Sequence, residues 1–426
     1  MPLRLLNNRL IGAKLCRYEY ESFPLRARED KSYMLENRFP ENFFLTPSIC
    51  RRLMLAAVVL VLVAALPGTT KALDTSAKQA ILIDFETGVA LYSKNADELM
   101  PPASMTKMMT VYLIFERLKE GRLSLDDELR VSRKAWKKGG SKMFVAVGKR
   151  VRVEDLIRGI VVQSGNDATI VVAEGLSGSE EAFAREMTIK ARELGMSNSE
   201  FRNASGWPDP EHRTTARDLA ILAEATIREF PVFYRYYAEG TFTYSNIKQN
   251  NRNPLLGRYR GADGLKTGHT ENAGYGLTSS AVRNGRRLIL VLNGMPSERA
   301  RRNESQRLLD WGFREFGNYK LFETNEEIAS VGVWLGSDTH VPLLAKTGVL
   351  LTMERRLRKT LKVTISHDDP LPAPIKKGNA LGEMTVSIAE REPIKIPLIA
   401  GKDIERLGPS GRISAALSYL LWGASK

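Results

Sequence analysis

PPASMTKMMTVYLIF, residues 101–115, is the segment around which the rest of the chain organises. From Met105 to Phe115 apolar residues fall on every side of a helical projection, the pattern of a helix buried all round. Pro101 and Pro102 stand just ahead, where proline precedes a helix without breaking it. Ser104 and Lys107 have i, i+3 spacing and so share a helical face. Burial disfavours an ammonium, and a neutral amine beside a hydroxyl is a general base beside a nucleophile. The alternative is that Ser104 caps the helix while Lys107 carries its charge to the surface. The same S-x-x-K spacing recurs at Ser245–Lys248, in the polar stretch TYSNIKQNNRN with no apolar helix behind it. The segment alone leaves both readings open.

Outward from this helix the pattern changes on both sides. AILIDFETGVALYSKNAD (80–97) holds two alternating apolar runs around the turn-like ETG, which predicts a β-hairpin over about 79–93. A helical middle is expected from Ser104 to about Phe230, broken at Gly121, Gly139-Gly140 and Trp207-Pro208. GYGLTSSAVRNGRRLILVLNG (274–294) reads as two strands joined at Asn284-Gly285, and ESQRLLDWGFREF (304–316) as an amphipathic helix. Strands at both ends of a helical middle predict an α+β domain over 73–322 whose terminal strands pair in one antiparallel sheet with helices. Short β-rich runs such as LKVTISHDD and MTVSIAE then predict a small all-β domain over 323–400.

The tail, 401–426, ends in GPSGRISAALSYLLWGASK, where Ile413, Leu417, Leu420, Leu421 and Ala424 share one face of a helix. Such a helix is roughly 22 Å long, against ~30 Å of bilayer hydrocarbon. It is expected to lie in a membrane interface, with Trp422 at headgroup level and Arg406, Arg412 and Lys426 near anionic lipid. The alternative is docking against the β domain.

Composition is that of a soluble protein, with 26% charged and 43% hydrophobic residues. Residues 53–66, LMLAAVVLVLVAAL, form an apolar run of 14 after Arg51 and Arg52. Thr70 and Ala72 follow as small residues before a cut, so 1–72 is read as a leader containing a secretory signal peptide. Its removal lowers the formal charge from +14 to +9, leaving 52 Lys/Arg against 43 Asp/Glu. Cys16 and Cys50 leave with it, so the exported chain has no disulfide, thiolate nucleophile or cysteine metal ligand. Four histidines do not suggest a zinc site, and no glycine-rich phosphate loop precedes a helix. The expectation is therefore no metal and no cofactor. A moderate positive charge outside the cytoplasm suits an anionic wall or membrane surface better than nucleic acid.

Two further segments carry chemistry. VVQSGNDATIVVAEGL (161–176) sets Ser164 and Asn166 where an apolar run breaks at glycine; such groups line a cavity or cap a helix. GADGLKTGHTENAGYGLTSSA (261–281) offers the Lys266 charge, the Thr267 hydroxyl and close backbone access at Gly268. KTG recurs at 346–348 in the β-rich domain, away from the predicted catalytic hairpin.

SMTK, SGN and KTG, in order and separated by 60 and 102 residues, form the S-x-x-K, S-x-N and K-T-G set of penicillin-binding proteins and serine β-lactamases. With PPASMTKMMT, SGNDA, GLKTGHT and LLDWGF, residues 73–426 resemble the D-alanyl-D-alanine carboxypeptidases among low-molecular-mass penicillin-binding proteins. The resemblance implies a penicillin-binding/β-lactamase-like catalytic fold and a Ser104 nucleophile with Lys107 as base. Ser164 would relay a proton to the leaving D-alanine, while Asn166 holds a substrate amide. Lys266 and Thr267 would engage the terminal carboxylate, with Gly268 giving close backbone access to the substrate and Arg301 assisting. The N–H groups of Ser104 and His269 would form an oxyanion hole. It implies peptidoglycan stem peptides as substrates, β-lactams as covalent inhibitors and a peripheral place on the periplasmic face of the bacterial inner membrane. FRNASGWPDPEH (201–212) occupies the place of a loop bordering the family's site, with Trp207 where an aliphatic residue is expected and His212 read as structural. Competing readings are a serine β-lactamase, a D,D-endopeptidase and a non-catalytic wall-binding protein.

Overall fold

Residues 73–422 are described in a computed structural model; the expected leader and the tail positions Ala424 and Lys426 lie outside them. In chain order the catalytic part opens with strands β1 (Gln79–Asp84) and β2 (Ala90–Lys94), then helix α1 (Lys107–Lys119). A two-stranded ribbon, β3 (Glu128–Arg130) with β4 (Arg150–Arg152), encloses the short helix α2 (Arg133–Lys137). Helices α3 (Val153–Val161), α4 (Asn166–Ser177), α5 (Glu180–Glu193), α6 (Ala216–Glu229) and α7 (Pro231–Tyr234) follow. The hairpin β5 (Thr241–Tyr244) and β6 (Ile247–Asn250) leads to strands β7 (Ala262–Thr270), β8 (Gly274–Arg283) and β9 (Arg286–Met295), and to helix α8 (Glu298–Glu315).

The predicted buried helix is α1: every residue from Lys107 to Phe115 is buried. Its cover comes from the sheet on one side and the helical block on the other. The five antiparallel strands run in the order β2-β1-β9-β8-β7, so the first and last strands of the catalytic part are neighbours, as the terminal segments predict. The continuous apolar run in β9 is explained by burial of both sheet faces. Leu288, Leu290 and Leu292 pack with Leu308 and Leu309 of α8, whereas Ile289 and Val291 join the core of helices α1 and α3–α6. Ala80 and Leu82 of β1 face α8, and Ile81 and Ile83 face the helices, the alternation a strand imposes.

Two expectations differ in detail, and the second S-x-x-K lies away from any buried helix, as expected. The helix expected from 304 begins at Glu298, because Ser297 caps it by accepting from Ala300 N at 3.1 Å; its charged first turns show no apolar period. The helical middle also contains the β3–β4 ribbon, whose strands are too short to show alternation. SNIK lies at the β5–β6 turn, where Ser245 and Asn246 adopt left-handed φ of 49° and 60°.

The β-rich region comprises β10 (Phe316–Phe322), β11 (Glu327–Trp334), β12 (His340–Ala345) and β13 (Val349–Glu354). It continues with β14 (Lys362–His367), β15 (Leu371–Pro372), β16 (Ala380–Ser387) and β17 (Ile394–Ala400). Six of these form a sheet in the order β14-β16-β17-β12-β11-β15, and β10 pairs with β13. The boundary expected at 322/323 therefore falls after a strand that already belongs to the β-rich part, since β10 needs β13 for its ladder. At the other end, bridges from Ile404 to Ile375 and from Arg406 to Gly336 tie residues assigned to the tail into this region. Helix α9 (Pro409–Trp422) follows, with Ile413, Leu417, Leu420 and Leu421 all exposed.

Candidate active site

Ser104 lies in the single 3-10 turn Ala103–Thr106 that precedes α1, after Ala103 at a left-handed φ of 47°. It opens into a cleft of about 400 Å³ also lined by Ser141, Asn166, Trp207, His269 and Asn272. Lys107 follows as the first residue of α1 and is fully buried, which removes the surface-snorkelling alternative. Its Nζ lies 2.9 Å from Ser104 Oγ, 2.8 Å from Asn166 Oδ1 and 2.6 Å from the Ser205 carbonyl. A neutral amine satisfies all three at once: two N–H groups donate to the carbonyl-type oxygens, and the lone pair accepts the serine O–H. Burial, then the charges of Arg252 and Lys138, lower the Lys107 pKa to about 7, against a smaller opposing pull from Asp167.

Ser164 and Asn166 reach the same place from the α3–α4 junction. The cap reading does not hold for Ser164, since Gly165 occupies the N-cap position of α4 without a side-chain cap. Ser164 is instead held at a left-handed φ of 60°, buried, with no partner for Oγ among the described residues. An unpartnered buried hydroxyl on strained backbone is characteristic of functional sites. Asn166 accepts from Lys107 and donates Nδ2 to Gly139 O at 2.9 Å, which fixes its amide. The neighbouring Asp167, not singled out from sequence, accepts from the backbone N–H groups of Met143, Phe144 and Val145 at 2.8, 2.8 and 3.2 Å. It thereby holds the 143–145 segment, which follows the cleft-lining Ser141.

The KTG of 266–268 sits on β7, the edge strand of the sheet. Lys266 and Thr267 are buried, with Lys266 Nζ donating to Thr267 O at 3.2 Å. Burial, reinforced by the charges of Lys107, Arg252 and Arg301, pushes the Lys266 pKa well below its usual range. At Gly268 a Cβ would stand 2.8 Å from Pro102 O, so glycine is what allows β7 to lie against the Ser104 turn. His269 lines the cleft with its ring 3.9 Å from that of Tyr275. Arg301, in the first turn of α8, is buried, donates to Gly276 O at 3.4 Å and leaves Nε without an acceptor among the described residues. The second KTG, 346–348, is exposed in the β12–β13 connection.

Three residues that the sequence reading did not assign, Arg252, Asn203 and Gly206, complete the surroundings with His212 and Trp207. Arg252 donates to Ser141 Oγ at 2.6 Å on the cleft rim. Asn203 Oδ1 accepts from the N–H groups of Ser205, Gly206 and Trp207 at 3.1, 2.8 and 2.9 Å, presenting the Ser205 carbonyl to Lys107. An asparagine two or three residues before glycine is an Asx-turn signal, and N-A-S-G carries it. Gly206 approaches the Ser104 turn so closely that a Cβ would lie 1.8 Å from Ala103 O. His212 is the structural loop histidine expected, with a definite partner: Nδ1 accepts from Arg202 N at 3.2 Å, so Nε2–H donates to Thr106 Oγ1 at 2.9 Å. Burial lowers its pKa to about 4 and keeps it neutral. Trp207 is half-exposed, with the Lys138 ammonium 4.5 Å from its ring.

The profile of the family described as D-alanyl-D-alanine carboxypeptidase matches residues 67–297, and that of the penicillin-binding protein 5 C-terminal domain matches 316–406. D-alanyl-D-alanine carboxypeptidase DacC of Escherichia coli is 37% identical over 353 residues, 81% of this chain and 88% of its own length. Penicillin-binding protein 5 of Haemophilus influenzae superposes with a TM-score of 0.71 at 35% identity, covering 79% of this chain and all of that one. Penicillin-binding protein D2 of Listeria monocytogenes, solved in its ampicillin-bound form, matches 57% of this chain and 98% of its own, with a TM-score of 0.52 and 32% identity. With a catalytic sheet, a β-rich C-terminal domain and three motifs meeting at one buried lysine, the chain belongs to the D-alanyl-D-alanine carboxypeptidase family.

Proposed function

We propose that this protein is a serine D-alanyl-D-alanine carboxypeptidase that trims the terminal D-alanine from peptidoglycan stem pentapeptides and is acylated by β-lactams. The observation that carries the reading is the fully buried Lys107 amine, with two carbonyl-type acceptors and the Ser104 hydroxyl around it. Lys107 takes the proton from Ser104 Oγ as the oxygen attacks the carbonyl between the two D-alanines. The N–H groups of Ser104 and His269 receive the developing oxyanion. Collapse breaks the C–N bond, and Ser164, whose hydroxyl has no competing partner among the described residues, passes a proton to the departing amine. The amide of Asn166 holds the acyl-side amide, while Lys266, Thr267 and Arg301 hold the terminal carboxylate. Gly268 keeps the backbone close enough for these contacts. Water then hydrolyses the ester.

The family's chemistry permits endopeptidase action on cross-links through the same acyl-enzyme. A β-lactamase would additionally need fast hydrolysis of the penicilloyl ester, and a wall-binding protein would need no neutral lysine. We further assign 1–72 to an export leader, the segment from 73 through α8 to the catalytic unit, the β-rich part from β10 to the bridges at Ile404 and Arg406 to a spacer, and the helix beyond it to a membrane-interface tail. The exposed Ile413, Leu417, Leu420 and Leu421 on α9 support this last assignment. The place assigned to the protein is peripheral, on the periplasmic face; no helix among the described residues is long and apolar enough to cross a membrane.

The deciding experiment measures D-alanine release from a D-Ala-D-Ala pentapeptide and labelling by fluorescent penicillin for residues 73–426, Ser104→Ala and Lys107→Ala. Release and labelling by the parent, both abolished in Ser104→Ala and strongly reduced in Lys107→Ala, are expected. Rapid penicillin turnover without D-alanine release would move the assignment to a β-lactamase, and inactivity of folded protein to a binding module.

A further inference from the structure

A second cleft, of about 880 Å³, lies where the catalytic part meets the β-rich part and shares no lining residue with the Ser104 cleft. Its walls carry Arg260, Arg283, Arg286, Arg314 and Arg355, drawn from the approach to β7, the β8–β9 turn, the end of α8 and the end of β13. Glu86 and Asp310 are the acidic residues of the lining. Asp310 is already committed, accepting from Tyr259 Oη and Arg283 Nη1, each at 2.9 Å. Arg286 is held by the fully buried Asp84 at 2.7 Å, and Arg314 by Glu315 at 2.7 Å. Arg260 and Arg355 have no carboxylate partner among the described residues; Arg355 Nε donates only to the Arg314 carbonyl, at 3.1 Å. Arg286 Nη2 has no acceptor at all among them.

Solitary surface arginines are ordinary, but guanidiniums gathered from two domains around one cavity repel one another unless an anion sits between them. A guanidinium presents a rigid planar fork that matches oxyanions, and a phosphate offers enough oxygens to accept several forks from different directions. A single carboxylate offers fewer. We infer that this junction cleft binds a phosphate-bearing ligand, bridging Arg260 of the catalytic part and Arg355 of the β-rich part. The source is either a phospholipid headgroup or a soluble phosphate compound, and the two arms of the test separate them.

Binding of inorganic pyrophosphate to residues 73–426 is measured by calorimetry, and binding to phosphatidylglycerol–phosphatidylcholine vesicles by co-sedimentation. Both are repeated with the Arg260→Ala/Arg355→Ala double variant. Lys376→Ala/Lys377→Ala, which removes two exposed charges elsewhere on the β-rich part, controls for net charge. The expected result is pyrophosphate binding that weakens about tenfold or more in the arginine variant and not in the lysine control, and that declines with salt. An accompanying arginine-specific loss of vesicle affinity assigns the site to lipid headgroups; unchanged vesicle affinity assigns it to a soluble phosphate. Equal effects of the two double variants on both probes, with unchanged thermal unfolding midpoints, overturn the inference.

Discussion

At the scale of single residues, two buried bases divide the labour by their partners. Lys107 is buried and faces the charges of Arg252 and Lys138, so its amine is unprotonated above about pH 7. Penicillin acylation of Ser104 should therefore rise with pH through about 7 and level off, a profile readable from stopped-flow labelling rates. A profile governed only by a group near the ordinary lysine range would contradict the assigned base. His212 is neutral for a structural purpose. Its folded pKa, about 4, lies below the ordinary 6.5, so the unfolded chain binds the extra proton in between. Stability from this group is fully present above about 6.5 and is lost as pH falls towards 4, by up to about 3 kcal/mol. Urea midpoints from pH 4 to 7 should show a flatter slope in His212→Gln than in the parent.

At the scale of elements, the Ser104 turn and the 203–212 loop are built as one object. Gly206 sits at φ 78° against the Ala103 carbonyl, while Gly121, at φ 70°, has nothing within 4 Å of its would-be Cβ. Gly121→Ala should cost about 1 kcal/mol, the backbone term alone. Gly206→Ala should cost more, by about 2 kcal/mol or beyond, and slow acylation because the Ser104 turn must shift. Thermal midpoints and labelling rates of the two variants check this contrast. The elements themselves were legible from sequence wherever period and turn chemistry agreed: α1 from its apolar surround, and β8–β9 from Asn284-Gly285. The S-x-x-K, S-x-N and K-T-G residues were legible as a set. What escaped was the scaffolding supplied across long sequence distances. Asp167 acts through backbone N–H groups that no local pattern marks, Asn203 carried only the generic turn signal of N-A-S-G, and Arg252 lies in a stretch read only as polar. The β10 boundary escaped for a related reason, since its partner β13 comes later in the chain.

At the scale of the whole molecule, the catalytic and β-rich parts are joined through polar contacts. Asp84 accepts from Arg286 and Asn318, Asn318 accepts from Thr352 Oγ1 at 2.9 Å, and Thr352 meets Thr87 at 2.6 Å. Removing the carboxylate strands a largely buried guanidinium, so Asp84→Ala should destabilise by about 3–5 kcal/mol. The paired replacement Asp84→Leu/Arg286→Met should cost less, and urea unfolding of both variants tests the ordering. The placement of β1 beside β9 has a further effect, on the order in which the molecule can come into being. Gln79 and Asn293 face each other across 214 residues. A chain emerging from its amino end carries Ser104 and Lys107 long before the strand that completes their roof. Lys266 and the three strands β7–β9 arrive together, late, so no shorter nascent fragment possesses an assembled reaction centre. Acyl transfer thus begins only when nearly the whole catalytic part has been delivered.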